Sequence, residues 1–242
     1  MQKQPFRMRG QEVTRVEAFS DVVFGFALTL IVVSLEVPQS FDELMKAMRG
    51  FPAFAICFAT LTWVWHCHHT FFRRYALTDE ITIALNTLLL FVVLFYTYPM
   101  KYMFSMITQG TRDGGDASTL FLIYGLGFAG IFGVFVAMYV RAWNKRDELE
   151  LNELERHDTI TNMTMYIAYV VIGLLSVTIG LTASRRTIGW AGLTYFLIGP
   201  VSAFIGYKRG SARHNLQVAM AQRAPNTMQT DAVPSVAAVG PH

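Results

Sequence analysis

The sequence predicts an all-α, polytopic membrane protein with six transmembrane helices per subunit and no internal repeat. Three observations carry this. The 242 residues are 53% hydrophobic and only 15% charged, with a mean hydropathy of +0.36, which is too apolar for a soluble domain of this size. Apolar stretches recur at 19–37, 51–72, 81–107, 119–142, 160–183 and 187–207; at about 1.5 Å per residue each reaches across a hydrocarbon core of about 30 Å. Finally, fourteen of the twenty Lys and Arg residues fall in the N-terminal tail, the connection near Arg73, the 141–156 connection and the C-terminal segment. The positive-inside rule places all four in the cytoplasm, as an even number of crossings requires.

The tail 1–14 is polar and basic, and the helix after it is too long for a signal-peptide core and lacks a small-residue cleavage site, so the tail is expected to stay. In the first span, Val22, Phe26, Thr29 and Val33 project within an arc of about 60°, with Glu36 near the same line and Pro38 ending the helix. One face thus carries a hydroxyl among apolar groups and ends in an acid. Asp21 lies inside the apolar stretch, where an ionisable group is costly unless it is paired or wet. The second span carries His66, Cys67, His68 and His69 in one turn, and the third carries Asn86.

Further on, 110–118 reads as a glycine-rich turn. The charged stretch after Trp143 reads as a cytoplasmic helical extension with pairings such as Arg146 to Glu150. Pro200 predicts a kink in the last span. From Ser211 apolar periodicity ends, so 211–242 is expected to be a disordered cytoplasmic tail beside a channel-forming region over 15–210. The +3 formal charge is no nucleic-acid signal, because the basic residues sit at the ends of apolar segments. Cys57 and Cys67 both lie inside an apolar segment, which argues against a disulfide-stapled secreted fold.

The pattern R-x-x-x-F-S-D from Arg15 to Asp21, then V-F-x-x-A-x-T-L and a proline, resembles the signature of the transmembrane protein 175 family, the endolysosomal potassium channels and their bacterial homologues. W-H-C-H-H-T-F-F from Trp65 to Phe72, Asn86 and Pro99 resemble that family's second and third helices. The resemblance covers the first hundred residues with specific motifs and the remainder by hydropathy and helix count. It implies a homotetrameric, potassium-preferring cation channel in the cell membrane, with K+ as the permeant ion, no cofactor and no enzymatic activity. The pore would be lined by the first helix of each subunit. By resemblance the constriction lies five residues after the aspartate, at Phe26, where the family usually has isoleucine or leucine. A hydroxyl layer follows at Thr29 and a further layer at Val33, with Val22 and Glu36 toward the mouths. The resemblance further implies that Arg15, Ser20 and Asp21, with His68 or His69 and Asn86, brace the pore helix against its neighbours.

Two other classes compete. The histidine–cysteine turn could hold a metal or redox centre, since imidazole and thiolate are good ligands, although adjacent helix positions point apart and the i, i+4 spacing is missing. A secondary transporter would need the internal repeat that the chain lacks.

Overall fold

The computed structural model describes residues 6–33, 39–109, 117–182 and 189–230, and among them every regular element is helical. In chain order these are α1 (Arg15–Val33), α2 (Phe41–Tyr75), α3 (Glu80–Gln109), α4 (Ala117–Asn144), α5 (Glu153–Thr182), the short α6 (Gly189–Leu193), a 3-10 turn over Thr194–Leu197, and α7 (Ile198–Thr230). Four stretches among the described residues are long and apolar enough to cross a membrane: Glu80–Pro99, Ser118–Asn144, Glu153–Thr182 and Trp190–Met220. Val33 ends α1, and its side chain, with Glu36 and Pro38, lies outside the described residues.

Helices α3, α4 and α5 pack in sequence, with α4 against α5 the most extensive contact; α1 lies across α2 and α3, and α7 leans on α5. The α4–α5 seam is close because it is built from small residues. A Cβ added to Gly125 would meet the Gly173 carbonyl at 2.8 Å and Val177 Cγ2 at 2.4 Å, and one added to Gly173 would meet Ala129. Glycine here lets two backbones touch where lipid supplies no hydrophobic drive for helix association. Below the seam, Phe132, Phe135, Tyr139, Tyr166 and Tyr169 interlock with Phe71 and Tyr75 of α2 in an aromatic core.

The charged residues collect where α1 and α5 start and α2 and α4 end. There Arg9 pairs with Glu155 at 2.8 Å, Arg141 with Asp79 at 2.9 Å, and Arg213 with Asp158 at 2.9 Å. Burial pushes the Asp79 carboxyl up, but hydrogen bonds from Thr82 and Arg141 and the nearby Lys145 charge outweigh it and hold the group below the ordinary carboxylate range.

Two expectations are corrected, and the irregularity expected at Pro200 takes the form of a 3-10 turn. The stretch after Trp143 is a tight turn over 145–150, with Glu150 in the left-handed region at φ 48°, and helix resumes only at Glu153. Arg146 bonds the Trp143 carbonyl and lies 3.8 Å from Asp147, in place of the expected Glu150 pairing. The turn wins because its carbonyls at Leu149, Glu150 and Leu151 are taken by Arg9 and Arg156. The irregularity in the last span is the 3-10 turn, which sits just ahead of Pro200. That proline has no N–H for the carbonyl four residues back, at Phe196, and its ring crowds it, so the preceding turn tightens. The final helix also continues to Thr230, so 211–230, expected to be disordered, is helical; Arg213 on Asp158 ties its start to α5. Residues 231–242 lie outside the described part.

Candidate functional site: the first helix, anchored on one face and bare on the other

Helix α1 starts from a capping box. The Glu17 amide donates to Thr14 Oγ1 at 3.2 Å, and the Thr14 amide and hydroxyl donate back to Glu17 Oε2 at 2.9 and 3.0 Å. The T-x-x-E spelling of this box, Thr14 to Glu17, is the sequence signal for it. Beyond the cap, Ser20, Phe24, Ala27 and Ile31 are all buried, recurring at four, three and four residues and so forming one helical face against α2 and α3.

A buried polar chain locks this face. Ser20 Oγ donates to the Val16 carbonyl at 2.7 Å, so it must accept from Asn86 Nδ2 at 2.9 Å. That fixes the Asn86 amide with Oδ1 toward His68 Nε2 at 2.8 Å, and His68 is therefore protonated on Nε2. Its Nδ1 is left as an acceptor with no hydrogen-bond partner among the described residues. Ser20, Asn86 and His68 are each at most 2% exposed, so α1, α3 and α2 are joined through side chains with no access to water. Asp21, about 100° further round, accepts from Trp65 Nε1 at 2.7 Å. His69 stacks on Trp65 with ring centroids 5.5 Å apart. From sequence Trp65 reads as a packing or interfacial residue; its donation to Asp21 depends on how α1 and α2 cross.

Not all the expected bracing residues join. Arg15 is exposed on the first turn of α1 and makes no hydrogen bond or ion pair within the described residues. His66 and His69 are exposed while Cys67 and His68 are buried, so the four histidine–cysteine positions separate onto different faces. Among the described residues no group of three or more His, Cys, Asp or Glu side chains is placed to hold a metal ion.

The other face of α1 is uncovered. Val22 is 56% and Phe26 64% exposed, and Thr29 is exposed beyond them. At about 100° per residue this stripe lies roughly opposite the buried one. Phe19, also exposed, extends it toward the helix start. Thr29 Oγ1 donates to the Phe26 carbonyl at 2.8 Å. With its hydrogen so committed, the hydroxyl oxygen presents only lone pairs outward, which suits a cation. Between the start of α1 and the end of α2 lies a cavity of about 120 Å³ lined by Glu12, Glu17, Asp21, Trp65, His68 and Arg73, among others.

Fold and site together define a helical membrane protein whose first helix is locked to its own subunit along one side and open along the other. Residues 15–96 match the model of the family described as endosomal/lysosomal potassium channel TMEM175. A potassium channel of Marivirga tractuosa is 36% identical over 220 residues, covering 83% of this chain and 89% of the relative. One from Chamaesiphon minutus is 29% identical over 185 residues, covering 69% of this chain and 86% of the relative. The crystal structure of a variant of the potassium channel MtTMEM175, bound to a nanobody fusion, superposes with a TM-score of 0.76 at 34% identity, over 87% of this chain and 99% of the other. The chain belongs to the TMEM175 family.

Proposed function

We propose that the chain is one subunit of a homotetrameric, potassium-preferring cation channel in the cell membrane, with a central pore lined by α1 of each copy. The observation that carries this is the bare stripe of α1, which sets Phe26 and Thr29 opposite a face locked by Ser20, Asn86 and His68. A single such helix encloses nothing, and the chain has no second F-S-D segment, so further copies must supply the rest of the wall.

In the pore, Phe26 is the constriction: an ion passing a ring of apolar side chains sheds water with no polar group to replace it. Thr29 is the adjacent layer, whose oxygens partly replace the lost hydration. Val33 follows outward and Glu36 stands at the outer mouth, with Val22 toward the inner one. The sequence has no TVGYG-like carbonyl filter, so preference for K+ rests on dehydration at these layers and is modest. Ser20, Asp21, His68, His69 and Asn86 hold the helix. Six crossings, α1 to α5 and the α6–α7 unit, put both termini in the cytoplasm. The similarity to proteins named potassium channels supports the reading.

The test is ion flux from liposomes holding the purified full-length protein, comparing potassium, sodium and chloride. Potassium flux above sodium flux is expected, and flux of chloride alone would overturn the proposal.

A further inference from the structure

The segment from Phe6 to Thr14 has no regular structure, yet it is anchored through Phe6, Arg9 and Gly10. Phe6 is buried edge-on against Tyr75, with the Arg74 guanidinium over its ring at 5.0 Å. Arg9 is nearly buried, with its guanidinium donating to both carboxylate oxygens of Glu155 at 3.2 and 2.8 Å and to the Leu149 carbonyl at 3.0 Å. The Arg7 amide adds a third donor to Glu155 at 3.0 Å. Gly10 donates its amide to the Arg73 carbonyl at 3.1 Å and accepts from the Arg73 guanidinium, and a Cβ on it would meet the Phe72 carbonyl at 3.0 Å. Four residues later Thr14 caps α1. Beyond that anchor, Glu12 and Val13 border the cavity of about 120 Å³ together with the start of α1 and the end of α2, so side-chain packing there is incomplete.

We propose that Phe6–Thr14 is a strap that sets the position of the inner end of α1, with Arg9 and Glu155 as its anchor, coupling the α4–α5 turn to the stripe that bears Phe26. This rests on the proposed pore. The reasoning is mechanical. The polar chain at Ser20 holds α1 one turn further in, so the first turn can swing about it only as far as the strap allows. Glu155 belongs to α5, and the Leu149 carbonyl to the turn before it, so a shift of that turn moves Arg9. Gly10 and its neighbours pass the shift to Thr14 over a few residues. Arg9 and Glu155 are positioning residues and stand well away from any permeating ion.

The experiment uses the full-length protein in potassium-loaded liposomes and planar bilayers, with Glu155→Gln, Arg9→Gln, Arg9→Lys and an insertion of two glycines between Gln11 and Glu12. The insertion slackens the strap and leaves the buried pair intact, so it remains informative if a charge variant fails to assemble. In Glu155→Gln, Arg9→Gln and the insertion, open probability should change about tenfold and in the same direction, with Arg9→Lys between these and the parent. Unit conductance and the K+/Na+ reversal potential should stay at parental values. Amide exchange should quicken about tenfold over 15–22 and stay unchanged in the α4–α5 seam. Parental exchange and gating in the assembled variants would overturn the proposal, as would exchange that quickens equally throughout. Quicker exchange confined to 15–22 with parental currents would overturn the coupling, and would place the fault in the pore assignment and leave the strap standing.

Discussion

At the scale of single residues, the first helix divides its side chains between two jobs that should fail separately. Asn86 bonds both Ser20 and His68, and because Ser20 keeps its bond to the Val16 carbonyl, Asn86→Leu strands the buried His68 Nε2–H at about 1–3 kcal/mol. The expected result is a lower midpoint for thermal loss of the assembled protein, with an unchanged reversal potential in what survives. Phe26 and Thr29 are exposed, and Thr29 donates one local hydrogen bond to the Phe26 carbonyl. Phe26→Asn should wet the constriction and raise leak current. Thr29→Val keeps the shape but removes the oxygen, and should bring the K+ and Na+ reversal potentials together with little change in closure. Leu30→Asn, about 80° round the helix from Val22, is the off-face control; a leak from Leu30→Asn without one from Phe26→Asn would reassign the stripe. Val22 and Phe26 were legible as a stripe because helical spacing is a property of the chain. The Trp65 bond to Asp21 was not, because it depends on how two helices cross.

At the scale of elements, the α4–α5 seam and the α2–α3 turn make different demands. Gly125→Ala places a methyl group 2.4 Å from Val177 Cγ2 and should wedge the helices apart, read as loss of assembled protein. Gly133→Ala, with nothing within 4 Å of its added Cβ, should be tolerated. In the turn, Asp79 accepts from Thr82 at 2.7 Å and from Arg141 at 3.0 Å. Its carboxyl is held below the usual range, so its stabilisation is complete above about pH 4 and is lost as the pH falls through the lowered value. Asp79→Asn should flatten the acid limb of the stability profile and cost about 1 kcal/mol at neutral pH, measured as thermal midpoint against pH. The sequence does not signal helix over 211–230 because the stretch lacks apolar periodicity, and the Arg213–Asp158 contact that ties its start to α5 joins positions 55 residues apart.

For the whole molecule, the proposed pore requires the exposed stripes of α1 from several copies to face a shared axis. Cross-linking in mild detergent should progress to a tetramer and stop; a monomer that still conducts would refute the shared pore. Reporter fusions at Gly10, Asp147 and His242 should all report cytoplasm, since each follows or flanks the arginine- and lysine-rich ends.

The sequence by itself determined that the chain is helical, that it belongs in a membrane, and which residues of α1 share a face, because hydropathy and helical spacing are local quantities. It also carried the F-S-D signature by which the family could be named before any contact was known. Only the tertiary structure decided which face of α1 is buried, which histidine of the cluster meets Asn86, and that Arg9 reaches Glu155 across 146 positions of chain. A hydrogen bond needs its two atoms within about 3 Å, and nothing in the spacing of residues along a chain records which helices will stand side by side.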